Sequence, residues 1–387
     1  MALIAAHSLL SSFGCDVVTA CAAARAGLSR AAPVQGFKFN SDTAGETEPL
    51  IAHAVPLLTR GFEGRSRLIR LLVGGLRELK ARLPAGLDPA ATMTLYLSWP
   101  DPERVAKGLD LIADDGARAT ARERTQDVVG DSRSPSHADA LATAVRGAAA
   151  EAGWTGPVEV RHLSFAGHAG GAECLTLACD DLAKGRVENA VVGGVDSLLD
   201  ADTIAWLDHA DRLKLTGMPV GLMPGEAAAF VWMSSSCVAP EAMITASGLA
   251  SEPKSLWSGA TSVGVGLSQA IEQVAHAADW SKAEPAWALT DLNGEVYRAN
   301  EWGHVVARLR ASWPALGNVA LWLPAASFGD TGAASALVAL CMVVQAQRRK
   351  YAPARHAMIV SSSEGAHRSA VVVSATNYAP LSRSALS

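Results

Sequence analysis

One histidine stands at a place in the chain where a side chain could do chemistry. His168 lies in the small-residue loop 165–171, Phe-Ala-Gly-His-Ala-Gly-Gly, which follows a predicted strand at 158–163. From Ala172 the apolar spacing predicts a buried helix, and the apolar run 190–195 predicts a strand covered on both faces. We therefore expect His168 at the entrance of a buried helix, where small residues let a ligand or other backbone approach closely.

A second copy of this pattern occurs near the C-terminus. The segment 164–172, SFAGHAGGA, is matched by 327–335, SFGDTGAAS, and each is followed by a helical pattern and then by an apolar strand. The repeat predicts a duplicated α/β unit with internal pseudo-twofold symmetry, and it puts Asp330 where the first copy has His168. If the halves face each other, these side chains approach one pocket, where a His–Asp pair could act as a general base for hydrolysis.

The rest of the chain supplies elements that could hold such a pocket. Apolar spacing predicts strands at 2–10, 92–98, 227–233, 287–292, 319–323 and 357–361, and helices at 17–26, 65–83, 101–110, 139–152, 202–207, 263–278, 300–312 and 333–348. Residues 30–60 are expected to be irregular, 112–135 to form an exposed excursion, and 249–260 to cross between the halves. The N-terminal half is placed at 1–250 and the C-terminal half at 251–387.

Composition argues against several classes of protein. The 387 residues are 49% hydrophobic and carry a net charge of −5, which favours a large buried core and argues against nucleic-acid binding. No apolar run reaches the roughly 20 residues that span a bilayer, and no secretory signal opens the chain, so a cytoplasmic protein is expected. The six cysteines form no CxxC pair and are expected to be reduced core residues. Without metal-ligand spacing, a P-loop or a dinucleotide fingerprint, no metal or cofactor is expected.

In four places the chain resembles the β-ketoacyl-[acyl-carrier-protein] synthases of the thiolase-like superfamily. The resemblance rests on SSFG and AAARAGLS near the N-terminus, on CLTLACDDLAKGRVENAVVGGVDSLL after His168, on GMPVGLMPGEAAAFVWM, and on SFGDTGAASALVAL. These motifs occur in the family's order and cover nearly the whole chain. The resemblance implies an α/β fold of the thiolase-like αβαβα type, with two five-stranded sheets enclosing buried helices, and usually a dimer.

The resemblance also locates the family's catalytic positions, and each of them holds a different residue here. The family's nucleophilic cysteine, at a helix entrance whose dipole favours a thiolate, falls on His168. Its two histidines fall on Asn293 and Asp330, and its lysine falls on Ala325. The nearest cysteine, Cys174, is about a turn and a half further along the helix and is expected to be packed. The family's Cys-His-His set is therefore not retained.

These replacements argue against condensation of acyl groups. An acyl-imidazole hydrolyses readily, so His168 could not hold a stable acyl-enzyme. A carboxylate at Asp330 would face the negative charge that develops on an enolate. At about 4 Å and an effective dielectric of about 20, two like charges repel by roughly 4 kcal/mol, or about three orders of magnitude in rate.

Other polar residues near the pocket allow two interpretations. Gly225 and Glu226 lie in a Gly/Pro-rich loop, and Phe328 precedes Asp330; the resemblance makes Glu226 a residue that orders the pocket loop, and a structural role is favoured. A polar-aromatic cluster follows Asn293 and is either a surface for a partner or, by the favoured interpretation, an ordinary helix N-terminus with a capping network. Its members are Arg298, Glu301, Trp302 and His304.

Two classes of function follow. The first is a ketosynthase-like protein that has lost condensing activity. It would act as a homodimer, as an adaptor, or, like a chain length factor, as the inert half of a heterodimer with a ketosynthase-like chain. Acyl carrier protein and a bacterial secretion-cluster protein are left open as partners. The second is an acyl-thioester hydrolase or acyltransferase of lipid or polyketide-type metabolism that uses His168, Asp330 and Asn293. The first is favoured, with the trio only satisfying its own hydrogen bonds.

Overall fold

The structure, a computed structural model, describes residues 2–40, 46–85, 87, 90–112, 114–129, 135–280 and 286–376. Its strands are β1 (Ala2–Leu10), β2 (Ala32–Asn40), β3 (Thr47–Ala52), β4 (Met93–Ser98), β5 (Val158–Ser164), β6 (Asn189–Ser197), β7 (Glu226–Ser234), β8 (Ala242–Ser251), β9 (Trp287–Thr290), β10 (Ala320–Trp322), β11 (His356–Ser362) and β12 (His367–Ser374). Its helices are α1 (Val17–Arg25), α2 (Pro56–Thr59), α3 (Gly64–Ala81), α4 (Arg104–Leu109), α5 (Asp115–Val129), α6 (Pro135–Glu151), α7 (Gly170–Ala183), α8 (Ala201–His209), α9 (Val265–Ala277), α10 (Val296–Leu309), α11 (Ala325–Phe328) and α12 (Ser335–Arg348).

Ten of these strands form one hydrogen-bonded sheet made of two matching sets of five, where the resemblance implied two separate five-stranded sheets. The order is β10-β9-β11-β12-β8 and then β1-β7-β6-β4-β5. In each set the three strands nearest the join pair antiparallel, and the outer two pair parallel. The sets meet where Ala2–Ile4 pairs with Ala242–Ile244. The duplication predicted from the sequence is thus visible in the strand order.

Alternating side chains place these strands between layers of helices. Along β7, Ala227, Ala229, Val231 and Met233 face a central core with α7 and α12, whereas Ala228, Phe230 and Trp232 face an outer core with α3 and α6. Successive side chains of a strand point to opposite faces, so a strand buried on both sides must be apolar throughout. A third core packs α9 and α10 against the other set of strands. The predicted αβαβα fold is confirmed.

The two central helices pack closely because small residues lie between them and the strands. A Cβ added to Gly171 of α7 would lie 2.1 Å from Cδ2 of Leu337 on α12. One added to Gly194 of β6 would lie 2.9 Å from the carbonyl oxygen of Ala333, just before α12. Since cores are packed at nearly crystalline density, these positions accept no side chain without a shift of the neighbouring helix. The glycines therefore set the distance between the two halves.

The sequence predictions are wrong for the antiparallel pair β2–β3, and they miss the strands β8 and β12. Residues 30–60, expected to be irregular, contain β2, β3 and α2. The strand β2 was missed because it contains Pro33 and Gly36, two residue types that weaken a strand. They are tolerated here because β2 is paired with a neighbouring strand on one side only. No prediction covers β8 or β12; β8 runs into 249–260, and its Ala, Ser and Gly content hides its alternation.

The segment expected as an exposed excursion is partly helical. Residues 115–129 form α5, and its described side chains near the start, including those of Asp115 and Arg122, lie at the surface. Positions 130–134 of this excursion lie outside the described residues. The division of the chain at residue 250 stays a prediction.

Substitution of Gly171 by alanine tests the close contact between α7 and α12. We expect Gly171→Ala to lower the free energy of unfolding by about 1–3 kcal/mol, because the new methyl group meets Leu337 and Ala336. Gly147 of α6 is the matched control, since nothing lies within 4 Å of a Cβ added there. Gly147→Ala should be neutral or stabilising by up to about 1 kcal/mol. Equal urea midpoints for the two variants would contradict this account of the core.

Candidate functional site

His168 lies in a 3-10 turn, Gly167–Ala169, that leads directly into α7. The turn begins with Gly167 in the left-handed region at φ +56°, a conformation that favours glycine. The hydroxyl of Ser363 accepts a hydrogen bond from the Ala169 N–H at 3.0 Å and donates to the carbonyl oxygen of Ala166. These contacts bury the His168 ring, which is 2% exposed, between the two halves.

Asp330 faces His168 from the second half of the molecule. The distance from Oδ1 of Asp330 to Nε2 of His168 is 2.8 Å, and the same oxygen accepts from the N–H of Gly332 at 2.8 Å. The other oxygen, Oδ2, accepts from Nδ2 of Asn293 at 2.6 Å. The three residues placed in one pocket by the sequence are thus in direct contact. Their equivalence to catalytic positions stays a prediction.

Two further residues complete the surroundings of the His168 ring, and neither was predicted as a site residue. Oε2 of Glu364 lies 3.4 Å from Nδ1 of His168. Nη2 of Arg298 lies 3.2 and 3.3 Å from the two ring nitrogens. Arg298 also donates to Oδ2 of Asp291 at 2.9 Å and to the carbonyl oxygen of Ser362. The ring is therefore enclosed by two carboxylates and a guanidinium group.

This group belongs to a larger network of buried charges. Arg212 donates to both carboxylate oxygens of Glu295, at 2.5 and 2.9 Å, and to Glu364 at 3.3 Å. Asn293 links the Arg212–Glu295 pair to the group around His168, because its amide donates both to Glu295, at 2.8 Å, and to Asp330. Buried charges are stable only when they are paired and hydrogen-bonded, and here each is. The cations are His168, Arg212 and Arg298, and the carboxylates are Asp291, Glu295, Asp330 and Glu364.

The network decides the protonation state of His168. Burial and the charge of Arg298 lower the pKa of the ring, but Asp330 and Glu364 outweigh them and raise it to about 10. Although burial opposes it, the charge of His168 holds the pKa of Asp330 below its usual value and that of Glu364 well below. The ring is thus an imidazolium at neutral pH. Such a ring has no free lone pair with which to accept a proton or attack a carbonyl group.

No thiol takes the place of His168 in the described part of the chain. Cys174 is fully buried in α7, and burial raises its pKa well above the usual value for a thiol. Only the thiolate is a strong nucleophile, so a cysteine in this environment is inert. The expectation that Cys174 is a packing residue agrees with its position.

A cavity of about 340 Å³ opens beside the ring. His168 and Glu364 line it together with aromatic side chains of Phe165, Trp206 and Trp257, and no described cysteine does. Asn293 and Asp330 are not part of its wall. The cavity is thus mainly apolar, and one edge of the imidazolium group lies on it.

The residues predicted to form a pocket loop hold Asp330 in position. The N–H of Gly225 donates to the carbonyl oxygen of Asp330 at 2.9 Å, and a Cβ on Gly225 would lie 2.3 Å from the carbonyl oxygen of Phe328. Glu226 is fully buried and accepts from Arg67 at 2.6 Å and from Thr59 at 2.7 Å. None of Gly225, Glu226 and Phe328 lines the 340 Å³ cavity. A structural role for these residues stays a prediction.

The polar-aromatic cluster after Asn293 does not form a surface. Arg298 and Glu301 are 2% and 1% exposed, and Trp302 is also buried, so the interpretation as a partner surface is wrong for these three. Glu301 pairs with Arg368 at 2.7 Å. Only His304 of this set is exposed. The residue types alone did not indicate this burial, because Glu364 and Arg368, which pair with Arg298 and Glu301, come from a distant segment.

Within the described ranges, no group of three or more histidine, cysteine and carboxylate side chains is arranged to hold a metal ion. Nor does any helix there combine the length and the apolar character needed to cross a membrane.

Comparisons with known proteins identify the fold. The ishigamide ketosynthase/chain length factor is 18% identical, with a TM-score of 0.64 over 97% of this chain and 99% of that chain. A ketosynthase in complex with its chain length factor from Xenorhabdus doucetiae is 16% identical, with a TM-score of 0.63 over 97% and 98%. A type II polyketide synthase acyl carrier protein in complex with its ketosynthase is 11% identical, with a TM-score of 0.70 over 97% of this chain and 99% of that chain. No family model and no curated protein matches the chain. The chain has the thiolase-like fold of the β-ketoacyl synthases.

We expect the charge of His168 to make stability fall as the pH rises. The pKa of the folded ring is about 10 and that of an unfolded histidine about 6.5, so the folded state keeps its proton between these values. The stabilisation is complete below about pH 6.5 and is lost as the pH rises through 10. The difference in unfolding free energy between wild type and His168→Gln should therefore shrink from pH 6.5 to 10, as measured by urea denaturation.

His304→Gln, on the exposed face of α10, controls for the loss of a histidine outside the network and should change this pH dependence little. A wild-type advantage over His168→Gln that stays constant or grows with pH would contradict an imidazolium at this position.

Proposed function

We propose that this chain is a ketosynthase-like subunit that does not condense acyl groups and acts as a non-catalytic partner, in the manner of a chain length factor. One observation supports this most strongly: His168, whose ring nitrogens lie beside the carboxylates of Asp330 and Glu364, occupies the entrance of α7. Condensation needs a nucleophile there that carries the acyl group, and donors that stabilise an enolate. His168 has no free lone pair, and the amide of Asn293 is already bonded to Asp330 and Glu295.

The hydrolase or acyltransferase alternative is weaker for the same reason. A general base must be unprotonated at the working pH, and its pKa should lie near that pH. With a pKa of about 10, His168 is protonated over the physiological range. In addition, Asp330 and Asn293 do not line the 340 Å³ cavity in which a substrate would lie.

The edge of the sheet supports assembly with a second ketosynthase-like chain. β5 is the last strand of its set, pairs with β4 on one side, and is seven residues long. The opposite edge strand, β10, has three residues. A long edge strand offers backbone donors and acceptors to another chain, and a twofold axis lets two such edges pair. We propose that β5 lies at the interface with a second copy or with an active relative. Acyl carrier protein and a secretion-cluster protein stay predictions as further partners.

The catalytic part of the proposal is tested with purified protein. Given acyl and malonyl carrier proteins, it should form 3-oxoacyl product no faster than the protein-free control, whereas an active synthase turns over in the same assay. Hydrolysis of acyl thioesters at pH 7.5 should be equal for wild type and His168→Ala. Turnover like that of the active synthase, or hydrolysis that disappears in His168→Ala, would contradict the proposal.

Cysteine cross-linking tests the proposed interface. In a Cys15→Ser background, which removes the exposed thiol, single cysteines are placed from Val158 to His162 along β5 and oxidised in the purified complex. At least one position should give a cross-linked dimer, because paired edges bring Cβ atoms to within disulfide distance. Ala299→Cys, on the exposed surface of α10, is the control and should stay monomeric. If the purified complex is a homodimer, the absence of a cross-link at every β5 position would reject this interface.

A further inference from the structure

Two side chains of the edge strand β5 carry opposite charges and lie on the same face of the sheet. Nη1 of Arg161 is 3.5 Å from Oε1 of Glu159, and the two side chains are 41% and 51% exposed. Nε of Arg161 also donates to Oδ2 of Asp181 on α7 at 3.2 Å, so this is the α7 face. An exposed ion pair within one chain contributes little to stability. Both charged groups therefore remain accessible to a strand that pairs with the open edge of β5.

A leucine of the central helix α7 is exposed beside the same strand. Leu177 is four residues from Glu173 and four from Asp181, so the three side chains share one face of the helix. This face runs along β5, because Glu173 contacts His162 at 3.1 Å and Asp181 contacts Arg161. Leu177 is nevertheless 37% exposed, although α7 belongs to the central layer. The central layer is thus left open at β5, where an apolar side chain awaits a partner.

The charges around this edge balance one another. Three cations and three carboxylates contact each other there, and Glu173 has His162 beside it. The six are Glu159, Arg161, Asp180, Asp181, Lys184 and Arg186. A second copy of such a surface meets no large field of its own sign. The positions of single charges, and not the net charge, therefore decide how two copies would align.

The symmetry of a strand pair restricts this alignment to a few registers. A twofold axis perpendicular to the sheet keeps each side chain on its own face, so the register must be centred on a residue. A centre at 159 or 161 sets two like charges opposite each other, which is destabilising. Of the centres from 158 to 162, only Val160 sets Glu159 opposite Arg161 of the partner subunit, and it does so at two places.

We propose that β5 pairs with β5 of a second copy of this chain, in the register centred on Val160. Two ion pairs join Glu159 to the partner's Arg161, and the contact covers Leu177 on each side. Charges of opposite sign two residues apart make an edge strand complementary to itself, as contact between identical surfaces requires. This inference rests on the proposed β5 interface and names its occupant.

Charge reversal tests the proposal by sedimentation velocity on the full-length protein. Wild type should form a dimer, and Glu159→Arg or Arg161→Glu alone should weaken it at least tenfold, because each sets like charges opposite at two places. An equimolar mixture of the two variants should dimerise again with nearly wild-type affinity, since opposite charges then meet at both places. Lys38→Glu and Glu46→Arg, at exposed positions outside the ten-stranded sheet, are the controls and should dimerise as wild type does.

Cross-linking checks the register separately. In the Cys15→Ser background, Val160→Cys should cross-link to its own copy on oxidation. Glu159→Cys and Arg161→Cys should each fail to do so, because each is diagonal to its own copy, at about 7–8 Å. A mixture of these two variants should cross-link, since the two positions lie opposite each other.

Several outcomes would overturn the proposal. A wild-type chain that stays monomeric, or that pairs through β5 only with an active ketosynthase, would rule out the second copy as occupant. Single charge reversals that dimerise as wild type does, or a mixture that restores no dimer, would rule out the register. None of these readouts depends on the formation of 3-oxoacyl product, so their failure is distinct from failure of the non-catalytic assignment.

Discussion

A buried ion pair between His168 and Asp330 joins the two halves of the molecule at their centre. The two side chains are 2% and 3% exposed and come from corresponding positions of the two copies. Loss of either side chain removes a charged partner from the other in a medium of low polarity, and breaking a buried pair typically costs about 3–5 kcal/mol. Both Glu364 and Arg298 contact the His168 ring of this pair. The pair also connects the turn before α7 to the loop before α12.

The pair also explains how a histidine at the start of α7 can hold a proton. The N-terminal end of α7 carries a partial positive charge, which is unfavourable for an imidazolium ion. Asp330 and Glu364 supply two negative charges next to the ring and reverse this effect, as the raised pKa of His168 shows. The packing of the layers and the charge at their centre thus depend on different residues of the chain.

The central contact could be predicted from sequence, whereas its surroundings could not. The internal repeat places His168 and Asp330 at equivalent helix entrances, and symmetry brings such positions together. Arg298 and Glu364 have no counterpart in the internal repeat, and the favoured interpretation of the Arg298 cluster was an ordinary helix N-terminus with a capping network. Local patterns fail in a similar way for β2, where Pro33 and Gly36 conceal a strand that is stabilised by tertiary packing.

The position of β1 at the join of the two sets of strands bears on how the chain is made. Both strands that pair with it, β7 and β8, lie beyond residue 225. During synthesis the apolar side chains of β1 stay unpaired until β7 and β8 have also emerged from the ribosome. Such long-range pairing is slow and leaves early segments prone to aggregation. A chaperone that acts on the nascent chain would therefore protect β1.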